Sequence, residues 1–450
     1  MYGFPIKAWR PIVAGAEPNA SAPGAAPVSR PFGVWTASAL VVGGMIGAGI
    51  FVVPAQLAPY GATGLAAWGL AIPGALVLAF VLSRLAAARP HATGAVAIVG
   101  EVLGPLPGLL VGWSYWVGIC SANAIIALTA IRYGASFVPA LTATPLVTAL
   151  AATTLVWALT ALNLGGAKGA GRFQVLTTLL KLLPLLAVVA ILIGLLATGP
   201  DRFTANPHPP FAFDKLTAAL TLAFFPLVGF EAAALAAERV RDPARTIARA
   251  TLLGTAFTGL LYVIISNGII FALPQETVAG SDAPVAVFVE QFWGRGAGLL
   301  IAAFAAIAAI GCLNGWVLMQ GEVPLGMARS GLVPAVFARV NHRDVPTVAI
   351  LLSSAAASLL ILSGATPGLT GVLDFMLRLT TAATVWLYAG ACVTALVIGV
   401  VRPAAAIGLV VAAWILWGSG TEALLLSLGL MLTAVPLYWL RPKLTAAAAI

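Results

Sequence analysis

Charged side chains are scarce in this chain of 450 residues. Only 8% of the residues are Asp, Glu, Lys or Arg, whereas 61% are hydrophobic, and the mean hydropathy is +1.04. In a soluble globular protein about a quarter of the residues are charged, because its surface faces water. The scarcity therefore excludes a soluble protein and indicates a chain that lies in a lipid bilayer.

Residues that carry catalytic or metal chemistry are equally few. The chain has three histidines, all in predicted loops, and three cysteines, all in apolar stretches where thiols pack as small hydrophobic groups. They are His91, His208, His342, Cys120, Cys312 and Cys392. A glycine–lysine loop of the nucleotide-binding type is also missing from the sequence. We therefore expect neither an enzyme nor an ATP-driven pump, and no cofactor or metal site.

Long apolar runs are abundant and predict membrane-spanning helices. A helical span needs about 20 apolar residues, and roughly twelve such stretches fit between Trp35 and Leu440. A β-barrel would instead show short alternating strands and long polar loops. The sequence thus predicts an all-α polytopic membrane protein with about twelve transmembrane helices. Their expected starts lie near Trp35, Gly64, Leu106, Pro145, Arg172, Leu216, Ala250, Gly296, Thr347, Gly371, Ala404 and Thr421.

The basic residues predict the orientation of the chain. With twelve spans, four of the 23 Lys and Arg residues fall in outer loops and two within spans, so the other seventeen lie on the inner side. The six exceptions are Arg132, Arg202, Lys215, Arg295, Lys181 and Arg378. This bias predicts a multi-pass protein of the cell (inner) membrane with both termini in the cytoplasm. The net charge of +9 is scattered over short loops without interleaved aromatic residues, so we expect no nucleic-acid partner.

Two predicted spans contain residues that interrupt helices. The first span holds four glycines within residues 43–51, followed by Pro54, and the sixth holds Pro226 and Gly229 beside Glu231. Unwound backbone within a bilayer must face protein, water or a ligand, and a half-helix N-terminus at a break attracts a carboxylate. Close helix packing through glycine is the alternative for the first span. Interruptions at corresponding positions of two halves are typical of inverted-repeat transporters.

Ionisable side chains within spans are candidates for function. Glu231 must face the interior with a partner, as a gate, a proton carrier, a counter-charge or a structural hydrogen-bond acceptor. Lys181, with apolar neighbours for more than a turn on each side, either carries a proton, supplies a fixed positive charge, or contacts backbone carbonyls at the first break. Arg378 has Asp374 at i−4 as its expected partner in an ion pair.

Short motifs are distributed over nearly the whole chain after residue 35. They are Gly47–Phe51, Gly229–Glu231 with Arg241–Pro243, Gly311–Trp316, Gly331–Pro334 and Phe337–Asn341, together with Tyr115, Trp116 and Asn123. As a set they resemble the amino acid–polyamine–organocation transporters, most closely the basic amino acid/polyamine antiporters of the arginine/agmatine type. The resemblance implies a five-plus-five inverted-repeat core with broken helices one and six. It implies a transport core of spans one to ten (35–400) and two additional C-terminal spans (401–450). The residues before the core (1–34) are rich in Pro, Ala and Gly and lack the apolar core of a signal peptide, so we expect a disordered cytoplasmic tail.

The resemblance also implies a central substrate site. The backbone at Gly47, Ala48 and Gly49 is expected to bind the substrate carboxylate, and carbonyl groups near Phe225 and Val228 its α-amine. Two of these residues depart from the antiporter pattern. Phe225 stands where those proteins have Trp, which weakens cation–π attraction, and Ala48 replaces a Ser of the usual Gly-Ser-Gly.

Other implied site residues come from spans three, five, eight and ten. Trp316 is expected to stack beneath the substrate, Asn123 to meet its distal polar group, and Thr380 to line the site. A packing Trp and an interhelical hydrogen bond are the alternatives for Trp316 and Asn123. The residues implied in gating or coupling are Tyr115, Lys181, Glu231 and Tyr388. A fifth-span lysine like Lys181 is found in other amino acid permeases of the superfamily, some of them proton-coupled, and is generally missing from the antiporters.

The leading hypothesis is a secondary active transporter that exchanges a basic amino acid for its decarboxylated amine by alternating access. The alternative is a proton-coupled permease for neutral amino acids, and a channel or membrane receptor is the next class to consider. The expected partners are a small amino acid or amine substrate and the lipid bilayer, and a homodimer is allowed.

Overall fold

The computed structural model describes residues 33–89, 92, 94–165, 180–231, 243–365 and 372–440. All regular structure in these ranges is helical, which confirms the predicted all-α class. The α-helices are α1 Val34–Met45, α2 Gly49–Leu57, α3 Ala62–Ala88, α4 Ala95–Leu103, α5 Pro105–Gly134, α6 Pro145–Leu164, α7 Leu182–Thr198, α8 Arg202–Ala205, α9 Phe213–Phe224, α10 Pro243–Ala272, α11 Gln275–Ala279, α12 Pro284–Trp293, α13 Arg295–Arg329, α14 Thr347–Ser363, α15 Val372–Ile398, α16 Arg402–Gly418, α17 Thr421–Leu432 and α18 Val435–Leu440. Short 3-10 turns cover Ala58–Tyr60, Pro139–Thr142, Phe225–Leu227 and Ala335–Ala338.

The lengths of these helices fit a polytopic membrane protein. Among the described residues, 7 helical segments are long and apolar enough to cross a bilayer, and four shorter apolar helices accompany them. The short helices include α7, α14 and α16, and α2, which is the second half of an interrupted span. The protein is therefore a multi-pass membrane protein.

The helix starts follow local sequence signals. Prolines stand in the first turn of α5, α6 and α12, where a missing N–H costs nothing, and the Thr144 side chain caps α6 by accepting from the Val147 N–H at 3.2 Å. The span expected from Ala250 begins earlier, because its helix α10 starts at Pro243, a residue suited to the first turn of a helix.

Helix α5 lies at the centre of the bundle. It packs against α13 and α15. Of its apolar 18-residue segment 89% is buried in the protein, compared with 17% for the corresponding segment of the last span, residues Thr421–Leu440. The N-terminal helices α1 and α3 pack against α10, and α9 packs between α3 and α16. The central position of α5, α13 and α15 places their side chains around the interrupted helices.

Three ion pairs occur among the described residues, one within a helix and two between separate elements. Arg378 donates to Asp374 at 2.7 Å within α15, as expected from their spacing, and also reaches the Tyr60 hydroxyl oxygen at 3.2 Å. The other two pairs, Arg132 with Asp282 at 2.9 Å and Arg89 with Glu101 at 2.5 Å, link separate elements. The guanidinium of Arg378 thus has a partner for its charge, and its position within a span is a structural one.

Candidate functional site

The first span is interrupted between α1 and α2. Helix α1 ends at Met45, Ile46 is extended (φ −69°, ψ 92°), and α2 begins at Gly49. The first N–H groups of α2 have no partner within their own helix, and they carry the positive end of its dipole. The predicted break at Gly47–Gly49 is therefore present, and it presents a helix N-terminus to the protein interior.

The sixth span is interrupted after α9. The chain makes a 3-10 turn over Phe225–Leu227, becomes extended at Val228 (ψ 141°), and enters the left-handed region at Gly229 (φ 111°). A side chain is strained at such a φ, so glycine is required there. Residues 232–242, which follow the break, lie outside the described ranges.

The two breaks touch each other through their glycines. A Cβ added to Gly49 would lie 2.6 Å from the Cβ of Pro226, and one added to Gly229 would lie 3.2 Å from the carbonyl oxygen of Gly44. Both separations are shorter than side-chain atoms normally allow, so the backbones approach as closely as glycine permits. Close packing and interruption, which the sequence left as alternatives, therefore occur together.

A cavity of about 40 Å³ lies where the breaks meet. Eight predicted site residues line it: Gly47, Ala48, Gly49, Tyr115, Phe225, Val228, Trp316 and Thr380. Others that line it are Gly44, Met45, Gly118, Ile119, Ala122, Ile126, Pro226, Cys312 and Thr384. Because each water needs about 10–15 Å³ of such space, the cavity holds only about three waters, and a substrate with a long side chain requires it to widen.

The lining is apolar except for a few polar groups. The Thr380 hydroxyl is 1% exposed and has no hydrogen-bond partner among the described residues. Buried polar atoms without a partner are costly, so this hydroxyl is suited to bind a polar group that enters the cavity. Thr384 was not predicted, although it follows Thr380 by one helical turn and therefore shares its face of α15.

Glu231 lies beside the central cavity and is 8% exposed. The Tyr115 hydroxyl donates to its Oε1 at 2.6 Å, the Tyr388 hydroxyl to its Oε2 at 3.0 Å, and the Gly229 N–H to Oε2 at 3.2 Å. Three donors converge on two oxygens, which is the arrangement that a carboxylate accepts. The cluster joins α5, the sixth-span break and α15.

A second cavity, of about 100 Å³, adjoins this cluster. Tyr115 lines both cavities, whereas Glu231 lines only the second, together with Glu322 on α13 and Ala86 near the end of α3. A third cavity, of about 430 Å³, lies near the other end of α5 and includes Arg132. The three cavities thus follow one another along α5. The second cavity, beside Glu231, is called the vestibule below.

The remaining predicted residues lie near the cavity without lining it. Lys181 is 2% exposed, and its Nζ donates to the Gly43 carbonyl oxygen at the end of α1. Of the alternatives listed for Lys181, the contact with a backbone carbonyl at the first break is therefore present. The Asn123 Nδ2 donates to Oε1 of Gln320 at 2.6 Å, which is an interhelical hydrogen bond between α5 and α13. The roles of both residues in transport remain predictions.

Gln320, Glu322 and Cys312 were not predicted as site residues. All three lie on α13, and Gln320 follows Trp316 by one turn. A polar residue in an apolar span, one turn from a predicted site residue, was the sequence signal that could have identified Gln320. No group of three His, Cys, Asp or Glu residues suited to a metal occurs in the described ranges.

Comparison with known proteins decides the family. The amino acid permease family model matches residues 32–440. This chain belongs to the amino acid permease family. The permease is 29% identical to a cadaverine/lysine antiporter of Escherichia coli (strain K12) over 339 residues, which cover 74% of this chain and 75% of the relative.

Two further relatives of this permease have similar coverage. A putative arginine/ornithine antiporter of Bacillus subtilis (strain 168) is 28% identical over 389 residues, covering 79% of this chain and 81% of the relative. The putrescine transporter PotE of Escherichia coli (strain K12) is 24% identical over 353 residues, covering 78% and 80%. The relatives are transporters, in agreement with the predicted superfamily and transport class.

Proposed function

We propose that this permease is a secondary antiporter that exchanges a basic amino acid for its decarboxylated amine by alternating access. The names of the relatives support this choice, since lysine with cadaverine is an amino acid with its decarboxylation product. The observation that carries the proposal is the cavity at the contact of two broken helices, because such breaks supply unpaired backbone groups for an α-amino acid.

Each end of the substrate has a counterpart in this cavity. The substrate carboxylate binds the N-terminus of α2 at Gly47, Ala48 and Gly49, and the α-amine binds carbonyl groups of the sixth-span break near Phe225 and Val228. Trp316 and Phe225 offer aromatic faces for a cationic side chain. Asn123 and Thr380 meet the polar distal end.

The contacts of Glu231 support a role as a gate. Its hydrogen bonds to Tyr115 and Tyr388 tie α5 and α15 across the floor of the central cavity. Breaking them opens a path from the cavity into the neighbouring vestibule, while contacts on the other side of the substrate close.

The positive-inside bias of the loops supports an inner-membrane location with both termini in the cytoplasm. The vestibule beside Glu231 then opens to the cytoplasm, since it includes Ala86 near the predicted inner loop with Arg84 and Arg89. The division at residues 34 and 400 and a homodimer in the bilayer belong to the same proposal.

A second candidate function is proton-coupled uptake of neutral amino acids. Two observations favour it: Lys181 is bound to the first break, and no acidic side chain lines the central cavity within the described ranges. A fixed carboxylate is the usual counter-charge for a buried cation, and here the neighbouring Glu231 is held by tyrosines.

Counterflow in proteoliposomes distinguishes the two functions. Vesicles preloaded with lysine, arginine, cadaverine or agmatine are diluted into labelled lysine or arginine, and antiport predicts uptake well above that of empty vesicles. Proton-driven uptake predicts instead that an imposed pH gradient accelerates uptake of a neutral amino acid into empty vesicles. If no preloaded amine accelerates uptake, the exchange of amino acid for amine is wrong.

A further inference from the structure

A buried chain of hydrogen bonds runs from α6 through α14 and α13 to Asn123. The Asn123 Nδ2 donates to Gln320 Oε1 at 2.6 Å, Gln320 Nε2 donates to Ser354 Oγ at 2.8 Å, and Ser354 Oγ lies 2.7 Å from the hydroxyl oxygen of Thr160. All four side chains are at most 1% exposed. Such a chain has a direction, because each hydroxyl has one proton and each amide has a donor end and an acceptor end.

The direction is determined at Thr160. Its hydroxyl donates to the Val156 carbonyl oxygen at 2.8 Å, so the proton between Thr160 and Ser354 belongs to Ser354. The Ser354 oxygen is then left to accept, which requires the amide nitrogen of Gln320 to face it. The carbonyl oxygen of Gln320 consequently faces α5, where the NH₂ of Asn123 donates to it.

This polarity leaves the Asn123 carbonyl oxygen as the unused end of the chain. Asn123 Oδ1 is buried and has no hydrogen-bond partner among the described residues. Asn123 is flanked on α5 by cavity-lining residues, with Ala122 beside it, Ile119 one turn before and Ile126 three residues after. The unused group at this place is therefore an acceptor, which a hydrogen-bond donor satisfies and a carboxylate does not.

We propose that Gln320 is a specificity-determining positioning residue, which fixes the amide of Asn123 so that the distal subsite accepts substrate side chains ending in a donor, such as an ammonium or guanidinium group. This inference rests on the proposed function, in which Asn123 meets the distal end of the substrate. Gln320 acts through Asn123, to which it is joined by the hydrogen bond of 2.6 Å.

The experiment compares lysine, which ends in a donor, with norleucine, which ends in a methyl group, by counterflow in proteoliposomes. In Gln320→Leu the Asn123 amide is free to turn, so we expect the KM for lysine to rise about tenfold, the KM for norleucine to stay within about twofold, and the maximal rates to be unchanged. Ser354→Ala removes the acceptor that orients Gln320, together with the hydrogen bond to Thr160, and should lower the lysine preference in the same direction.

Asn163→Leu is the matched control. Asn163 is 1% exposed, and its Nδ2 donates to Asn314 Oδ1 at 3.0 Å, so this variant also breaks a buried amide pair between a neighbouring helix and α13. Asn163 does not line the cavity. We therefore expect it to lower thermal stability and to leave the ratio of the two KM values unchanged.

The outcomes distinguish this inference from the proposed function. If wild-type protein shows no lysine counterflow, the proposed function fails and the inference fails with it. If wild-type protein prefers lysine but Gln320→Leu and Ser354→Ala both keep that preference, the inference is wrong and the proposed function stands. An equal loss of preference in Asn163→Leu would also overturn the inference, because it would trace the effect to general loosening of α13.

Discussion

The hydroxyl of Tyr115 offers a direct test of the gate. Tyr115→Phe removes the hydrogen bond of 2.6 Å to Glu231 Oε1 and leaves the aromatic ring, which lines both the central cavity and the vestibule. Glu231 keeps its contacts with Tyr388 and with the Gly229 N–H, so the cluster is weakened rather than lost.

The size of the effect follows from the kind of bond removed. A hydrogen bond to a charged group contributes about 1.5–3 kcal/mol, and the phenyl ring leaves one carboxylate oxygen without that donor. A shift of this size changes the ratio of open to closed gate by about 10- to 150-fold. Because water from the vestibule can replace part of the lost bond, we expect the lower end, about tenfold.

The thiol of Cys312 reports the opening, because it lines the central cavity. With Cys120 and Cys392 replaced by Ala, a membrane-impermeant thiol reagent is added to inside-out vesicles and the rate of labelling of Cys312 is measured. The Tyr115→Phe variant should label about tenfold faster than its parent, and substrate should slow the labelling of both.

Tyr133→Phe is the control for this measurement. Tyr133 is fully buried on the same helix, and its hydroxyl donates to the Phe51 carbonyl oxygen at 2.9 Å, away from Glu231. If the two variants label at the same rate, the hydroxyl of Tyr115 does not hold the gate, and the assignment of the Glu231 cluster as a barrier is refuted.

Three further substitutions test the broken helices and the cavity. Lys181→Met removes the donor to the Gly43 carbonyl and should abolish coupled uptake at normal expression; unchanged transport would rule out its role. Trp316→Ala should raise the Kd for substrate about tenfold in calorimetry, and a wild-type Kd would mean that the ring only packs. Gly49→Ala places a Cβ against Pro226 of the sixth-span break and should abolish uptake and lower the Tm. Gly69→Ala, which has open space around its added Cβ, should preserve both uptake and Tm.

Local features of the fold were predictable because their causes are local. The glycines at 47 and 49 and the Pro226–Gly229 pair disfavour a continuous helix through their local backbone preferences, so both breaks could be predicted from the sequence. The Asp374–Arg378 pair likewise depends only on a spacing of four residues on one helix.

The partners of Glu231 could not be predicted from its neighbours. Tyr115 and Tyr388 lie 116 and 157 residues away along the chain, and only the family resemblance indicated them. The orientation of the Asn123 amide is even harder to predict from the sequence, because it depends on Gln320, Ser354 and Thr160 in three other helices. Hydrogen-bond direction is a property of the assembled bundle, and no periodicity in the sequence carries it.

Two of the three ionisable residues identified within the spans contact the two breaks in complementary ways. Lys181 donates to the Gly43 carbonyl, an acceptor left without a partner where α1 ends, and Glu231 accepts from the Gly229 N–H, a donor freed where the sixth span unwinds. Each break is thus held by a side chain of the charge that its backbone group requires.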